Sequence, residues 1–343
     1  MPLSWAKTEL EESNIEFDAK QKIYIISDLH LGDGTRSDSF RDKRMALREL
    51  FAEIKSEEAQ LIIAGDLIDF HQGWSIDRII TAHAILFREL SDLAQETSVT
   101  YLWGNHDFEL SYFKDLLNFQ VHSSATIGEI ALIEHGHQYD SLIGAELNTS
   151  PRLDKLHHVL ERLLDSWLRL PLENFPNIEN RILFWFFHKL FWLQSKAGEK
   201  FPKNLSKRLK IIEQSQLGNP RGVFTAVQER LKEIPQRYLI TGHTHLPGIV
   251  ELGDKGYINT GSWAFDASQY LVWDGEKFML RDWQTQKEIT DQAYRPLVEG
   301  EWKDLDFLGW WKENYRGFLR FQQGPQQKIS EQEEPKQKIE IGE

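Results

Sequence analysis

Cysteine is absent from this chain of 343 residues. Disulfide bonds and thiolate metal sites are therefore excluded, and a transition metal would have to be bound by histidine, aspartate, glutamate or asparagine. Long hydrophobic runs are also absent, since no stretch reaches the roughly 18 apolar residues that a membrane-spanning helix needs. Residues 1–20 are mixed and acidic, with no apolar run after a basic start, so we expect no secretory signal and a cytoplasmic location.

Basic residues are in deficit, with 40 Lys and Arg against 53 Asp and Glu and a formal net charge of −13. A general nucleic-acid-binding protein presents a broad basic face, so we expect no such binding here. Hydrophobic residues make up 41% of the chain, which is enough for a buried core. The length suits one large α/β domain that carries an insertion.

Five short segments rich in β-branched residues each end at side chains that can bind a metal. They predict strands at residues 22–27, 59–64, 99–103, 130–134 and 237–241. Apolar residues at three- and four-residue spacing predict helices at 40–56 and 76–95, between the first three strands. This alternation indicates βαβ units, in which parallel strands bring functional residues to one edge of a sheet.

The rest of the chain differs in character from these βαβ units. Residues 257–263, 268–273 and 277–283 predict strands of an antiparallel sheet that closes the core. Residues 142–217 predict a helical insertion. We therefore predict an N-terminal extension at residues 1–20 and a core in two parts, 21–141 and 218–321. The insertion at 142–217 separates the two parts, and a disordered tail follows at 322–343.

The polar residues at the strand ends occur in the order D-x-H, G-D-x-x-D, G-N-H-D, H and G-H-x-H. Each motif alone is common by chance, but five in series after predicted strands indicate a metal site. Two divalent cations about 3.5–4 Å apart need a bridging carboxylate and several further ligands. On an extended strand end, the side chains of Asp28 and His30 would point to the same side. The candidate ligands are Asp28, His30, Asp66, Asn105, His135, His243 and His245.

Together these motifs resemble the calcineurin-like metallophosphoesterase superfamily, over roughly residues 21 to 285 apart from the helical insertion. The resemblance implies a four-layer α/β/β/α sandwich of two mixed sheets and two divalent metal ions. Mn²⁺ is the expected ion, with Fe, Zn or Mg as alternatives. The first ion would be bound by Asp28, His30, Asp66 and His245, and the second by Asp66, Asn105, His135 and His243.

The resemblance also implies roles for three residues beside the metals. His106 would stabilise charge on the phosphoryl group or protonate the leaving oxygen. Asp69 and Asp107 would be carboxylates that orient imidazoles. A phosphodiester or pyrophosphate bond would then be hydrolysed by metal-activated hydroxide, with no covalent intermediate.

Within the superfamily, the chain is most similar to the bacterial UDP-2,3-diacylglucosamine hydrolases. The likeness rests on the D-L-H-L start, Phe108, Asp140 and a helical insertion before G-H-T-H. His106 stands where that subgroup has arginine, and the insertion is longer. The alternatives are a phosphomonoesterase or protein phosphatase, and a non-catalytic interaction platform on the same fold. Phe70 and Asp107 stand where the protein phosphatases carry arginine and glutamate, which disfavours that branch.

The expected substrate is a phosphorylated small molecule or a lipid-linked compound, such as a UDP-linked acylated sugar. Arg36, Arg41 and His137 are candidate substrate contacts, although the pattern favours ordinary solvated charges for the two arginines. Inside the insertion, an aromatic-rich helix at 181–194 is followed by six basic residues. That segment is compatible with a buried helix, with a lid or peripheral membrane contact through residues 181–210, and with a homodimer interface.

Overall fold

In the computed structural model, the described residues are 13–34, 38–70, 76–107, 110, 119–140, 189–190, 192–194, 196–203, 205–206, 220–264, 267–292 and 294–298. Most of the predicted insertion, the predicted tail, Arg36 and Phe108 lie outside them. Within the predicted insertion, residues 189–190, 192–194 and 196–197 are helical. No helix among the described residues is both long and apolar enough to cross a membrane.

Twelve strands in the described residues form two six-stranded sheets. In chain order they are β1 Asn14–Phe17, β2 Ile23–Ile26, β3 Gln60–Ala64, β4 Val99–Leu102, β5 Gln120–His122, β6 Ser124–Ile127, β7 Ala131–Glu134, β8 Tyr238–Thr241, β9 Gly248–Leu252, β10 Lys255–Asn259, β11 Gln269–Trp273 and β12 Phe278–Asp282. The first sheet has the order β12-β11-β2-β3-β4-β5, and the second has the order β1-β6-β7-β8-β10-β9. All five predicted ligand-bearing strands are therefore confirmed.

The centre of the first sheet is built from β2, β3 and β4, which run parallel in register from Ile23↔Gln60 and Leu61↔Val99. Their sequences are nearly continuous apolar runs because both faces of the sheet are covered. Parallel neighbours need a crossover, and two helices supply it: α1 Arg44–Ser56 and α2 Ile76–Glu96. In α1, Leu47, Leu50 and Ile54 are buried at three- and four-residue spacing, so one face packs on the sheet.

The second sheet is covered on its outer face by α3, Pro220–Glu233, whose Val223, Val227 and Leu231 are buried. A short helix, α4, follows at Arg295–Val298. Between the two sheets lies a shared core to which both contribute, including Ile25 and Ile62 from the first sheet and Ile133 and Ile240 from the second. The layers are helix, sheet, sheet, helix, which confirms the predicted four-layer sandwich.

Two details of the predicted layout differ from the structure. The prediction of one antiparallel sheet after residue 257 is wrong, because β10 pairs with β8 in the second sheet while β11 and β12 join the first. The chain changes sheet after β10 near Gly261, whose φ is +79°. The alternating pattern that predicts a strand is the same in either sheet. In addition, β1 lies inside the predicted N-terminal extension yet pairs with β6, so the core begins before residue 21.

The loop after β2 is tied to α2 by a buried pair, Asp38 and His83. The Asp38 carboxylate accepts hydrogen bonds from the backbone N–H of Gly32, Gly34 and Phe40, at 3.3, 2.9 and 2.9 Å. His83 Nε2 lies 2.8 Å from Asp38 Oδ2, and His83 has non-helical torsion angles within α2. This contact ties the chain that leaves the ligand strand to α2.

Replacing Asp38 with alanine would leave these buried donors without their acceptor. We expect Asp38→Ala to lower the free energy of unfolding by about 2–4 kcal/mol. Urea denaturation would measure the change. Asp254→Ala, at an exposed position in the turn between β9 and β10, is the control and should change stability by less than about 0.5 kcal/mol. Equal stability of the two variants would contradict this role.

Candidate metal centre

The candidate ligands lie where strands of both sheets end. Parallel strands β2, β3 and β4 deliver Asp28, Asp66 and Asn105 from the first sheet. The parallel pair β7 and β8 delivers His135 and His243 from the second. The loops after β2 and β3 continue the ladder, since the N–H of Asp28 donates to the carbonyl of Gly65 at 3.1 Å. The site is therefore anchored to backbone on both sheets.

Several candidate ligands have a left-handed backbone conformation, which ordinary residues rarely adopt. Seven non-glycine residues among those described have positive φ, and five of these are candidate ligands: Asp28, His30, Asp66, His243 and His245. Such conformations cost on the order of 1–3 kcal/mol each and persist where the surroundings impose them. The expectation that Asp28 and His30 share one side of an extended strand end is wrong. Both residues have a left-handed backbone instead, with φ of 53° and 50°.

One group of ligand atoms consists of Asp28, His30 and His245. His30 Nε2 lies 3.1 Å from His245 Nε2, and His245 Nε2 lies 3.1 Å from Asp28 Oδ1. Ligands about 2.1 Å from one ion and at right angles to each other are about 3 Å apart. The spacing and the mixture of imidazole nitrogen and carboxylate oxygen therefore fit one divalent ion.

A second group consists of Asp28, Asp66 and His135. His135 Nε2 lies 3.2 Å from Asp66 Oδ2 and 3.1 Å from Asn105 Oδ1. The same Asp66 oxygen lies 3.8 Å from His30 Nε2, so it stands between the two groups. A carboxylate oxygen in this position suits a bridge between two ions.

Contacts outside the two groups determine which ring nitrogen faces them. His135 Nδ1 lies 2.9 Å from the carbonyl of Ala64, and His30 Nδ1 lies 3.6 Å from Asp69 Oδ2. The carbonyl of Ala64 only accepts, so the neutral form of His135 carries its proton on Nδ1 and offers Nε2 as the ligand atom. His243 differs, because the nitrogen that is contacted from outside the groups is Nε2, which lies 3.1 Å from Asp140 Oδ2. Its ring centroid lies 5.4 Å from that of His135.

His106 lies against the first group and is largely buried. Its ring makes an edge contact with His30 at 4.8 Å, and its Nδ1 lies 3.1 Å from Asp69 Oδ1. Its backbone N–H donates to Asp66 Oδ1 at 2.9 Å. Asp69 thus contacts the imidazoles of both His30 and His106.

The second carboxylate predicted to orient an imidazole has a different role. Asp107 accepts hydrogen bonds from the backbone N–H of Gly104 at 2.9 Å and of Ile68 at 3.0 Å. Burial and the neighbouring Asp66 charge raise the pKa of Asp107 to about 6. Asp107 therefore fixes the two loops that carry Asp66 and Asn105, because a carboxylate in a tight turn competes well for backbone donors.

The electrostatics of the site balance buried carboxylates against imidazoles. Burial opposes ionisation of Asp66, but His135 and His106 outweigh it and hold the pKa of Asp66 well below its usual range. Burial likewise opposes the charged form of His135, but Asp66 raises its pKa to about 9. The buried negative charge thus attracts cations, whether protons on imidazole or metal ions.

The three candidate substrate contacts fare differently. The His137 ring lies 5.4 Å from those of His135 and Trp103, beside the second group. Burial, then the neighbouring His135 and His243, lower the pKa of His137 to about 3. Arg41 begins a 3₁₀ turn, Arg41–Lys43, and its side chain lies outside the described residues, as does the whole of Arg36.

Three residues support the ligand loops without having been singled out as site residues from sequence. Ser27 donates to Asp28 Oδ2 at 2.5 Å, which leaves Asp28 Oδ1 facing the histidines. Asn259 donates to the carbonyl of Gly242 at 2.6 Å, and Asp140 contacts His243. Asp140 had a signal, since it closely follows His135-Gly136, but nothing in the sequence sets Asn259 or Ser27 apart from ordinary strand-end residues.

The chain is similar to known proteins in its sequence and in its fold. A sequence profile described as calcineurin-like phosphoesterase matches residues 21–247. No curated protein matches the chain. Among solved structures, Yfce, a phosphoesterase from E. coli, is 15% identical, with 78% of this chain and 96% of that chain covered and a TM-score of 0.37.

Two further solved structures match this chain with similar identity, coverage and TM-score. An archaeal phosphodiesterase is 14% identical, with 76% of this chain and 99% of that chain covered and a TM-score of 0.37. A dimetal phosphatase from Danio rerio is 14% identical, with 77% and 96% covered and a TM-score of 0.37.

Gly65 allows β3 to end directly under the imidazole of His135. A Cβ atom there would lie 2.1 Å from His135 Nδ1, and the φ of Gly65 is +93°. Gly275 has φ +98°, but its Cβ would have no contact closer than 3.7 Å. Both alanine substitutions carry a similar backbone strain of about 1–2 kcal/mol, and only Gly65→Ala displaces a ligand.

We therefore expect Gly65→Ala to lose at least one bound Mn²⁺ per chain after dialysis, whereas Gly275→Ala should retain the wild-type number. Elemental analysis of the two purified variants measures this. Full retention of metal by Gly65→Ala would show that His135 does not occupy a ligand position.

Proposed function

The chain belongs to the calcineurin-like phosphoesterase family, and on that premise we propose that it hydrolyses phosphodiester or pyrophosphate bonds at a dinuclear metal centre. The observation that carries the proposal is the position of Asp66 Oδ2, 3.2 Å from His135 and 3.8 Å from His30. The oxygen stands between two groups of ligand atoms, each of which suits one divalent ion. Asp28, His30 and His245 form one group, and Asp28 and His135 complete the other, with Asn105 3.1 Å from His135.

When bound, divalent ions at these positions supply Lewis acids for phosphoryl oxygens and acidify a water molecule for attack on phosphorus. The residues of the chain orient and stabilise that reaction. Asp66 Oδ1 accepts a hydrogen bond from the backbone N–H of His106, which favours the orientation that places Oδ2 between the two groups. The ligand geometry is therefore fixed before a substrate arrives, which reduces the reorganisation needed in the transition state.

His106 is the side chain best placed to act on the substrate itself. Asp69 contacts its Nδ1, and in the proposed scheme Nε2 acts on the phosphoryl or leaving-group oxygen. As a hydrogen-bond donor, Nε2–H stabilises the charge that develops on the phosphoryl oxygens. With a proton to transfer, it serves as the general acid for the leaving oxygen. No side-chain nucleophile is required in this scheme, because water is the attacking group.

For the substrate class, we propose a nucleotide-linked or lipid-linked compound, such as a UDP-linked acylated sugar. The supporting observation lies in the described part of the insertion. Trp192 and Leu193 are 44% and 47% exposed, and Lys189 and Lys196 beside them are also exposed. Exposed apolar side chains next to lysines suit acyl chains and anionic head groups, which is the reason for including a peripheral membrane contact in the proposal.

Hydrolysis of bis-p-nitrophenyl phosphate, p-nitrophenyl phosphate and a UDP-linked acylated sugar tests this proposal, with Mn²⁺ or with chelator. We expect metal-dependent turnover that is strongest on the diester or the pyrophosphate. His106→Ala should lower kcat about 10²–10⁴-fold, while Asp66→Ala should remove turnover together with bound metal. Asp254→Ala is the control and should match the wild type.

Two other outcomes would change the conclusion. Turnover confined to the monoester would favour a phosphomonoesterase. Two ions bound per chain without turnover on any of the three compounds would favour a non-catalytic platform that retains the fold.

A further inference from the structure

His243 is held by a contact that differs in kind from those of the other candidate ligands. Its Nε2 lies 3.1 Å from Asp140 Oδ2, and the side chains are only 8% and 3% exposed. The backbone N–H of His243 donates to both oxygens of Asp28, at 3.2 and 3.0 Å. The residue is thus fixed at its main chain by one carboxylate and at its ring by another.

The contact determines which nitrogen of His243 is available. In His30 and His135 the Nδ1 atom is the one held from outside the ligand groups, at Asp69 and at the carbonyl of Ala64. In His243 the held atom is Nε2. A carboxylate accepts, so it favours a proton on Nε2 and leaves the lone pair on Nδ1.

The position of Asp140 is itself well determined by local structure. It follows the 3₁₀ turn His137–Tyr139, and its N–H donates to the carbonyl of His137 at 3.0 Å. Gly136 begins this turn with φ +111°, and a Cβ there would lie 2.9 Å from Thr241 Cβ. This close approach places the turn against the end of β8, directly before the loop that carries His243.

We propose that Asp140 is a positioning residue that holds the Nε2–H tautomer of His243 and directs Nδ1 to the second ion, the one assigned to Asn105 and His135. The inference rests on the dinuclear centre of the proposed function. Asp140 does not touch substrate in this scheme, and it acts only through His243. Contacts of this kind outside the ligands set ring orientation and basicity, and their loss costs about 10–100-fold in metal affinity or activity.

Calorimetric titration with Mn²⁺ alone tests the inference on the full chain. We compare the wild type, Asp140→Ala and Asp140→Asn, with Asp254→Ala as the control. The expected result for Asp140→Ala is a Kd for one of two ions that rises about 10–100-fold, while the other Kd is unchanged. The Kd should rise less in Asp140→Asn, because the asparagine amide oxygen can still accept a hydrogen bond from Nε2–H of His243.

Two further readouts separate positioning from a general structural role. Electron paramagnetic resonance should show the exchange-coupled signal of two adjacent Mn²⁺ ions in the wild type. In Asp140→Ala, that signal should be lost at stoichiometric Mn²⁺ and recovered at high Mn²⁺. Turnover should recover over the same range with an unchanged KM.

Wild-type Mn²⁺ affinity and spectrum in Asp140→Ala would overturn the inference, as would equal weakening of both ions with a lowered Tm in both Asp140 variants. The calorimetric and spectroscopic readouts are independent of hydrolysis. A wild-type protein that binds two ions without turnover would defeat the proposed activity and leave this inference intact. A wild-type protein that binds no Mn²⁺ would defeat both.

Discussion

The buried carboxylate of Asp66 is the group on which the arrangement of the two sheets depends. An ionised carboxylate cut off from water is costly unless opposite charges or donors surround it. On the side of the first sheet, the backbone N–H and the imidazole of His106, together with the more distant His30, compensate for it. His135 comes from the second sheet and lies 3.2 Å away. The sandwich therefore brings the two sets of strand ends together at the place where this charge requires a partner.

Glycine and backbone strain make that close approach possible. A Cβ atom on Gly104 would lie 2.0 Å from Asp66 Oδ1, and one on Gly242 would lie 2.2 Å from Asp28 Oδ2. Each ligand carboxylate thus packs directly on the backbone of a neighbouring loop. The left-handed conformations of the candidate ligands are costly locally. Asp107 and Asn259 form hydrogen bonds with the backbone of the ligand loops. These contacts hold the ligands in their strained conformations.

The sequence was sufficient to predict the strands that carry ligands, because a buried β-branched run followed by a metal-binding residue is a local signal. It was insufficient to predict which sheet β10 joins, because the alternation of apolar and polar residues is the same in either sheet. Asp107 was expected to contact an imidazole. Its carboxylate instead accepts hydrogen bonds from backbone N–H groups, one of them on Gly104, three residues earlier in the chain. Asp140 was visible as a residue near His135, whereas its contact with His243 depends on two loops more than a hundred residues apart.

Anomalous diffraction from crystals grown with Mn²⁺ tests the central claim most directly. The account predicts two peaks about 3.5–4 Å apart with Asp66 between them. One peak should be bounded by Asp28, His30 and His245, and the other by Asn105, His135 and His243. A single peak, or peaks that Asp66 does not bridge, would contradict it.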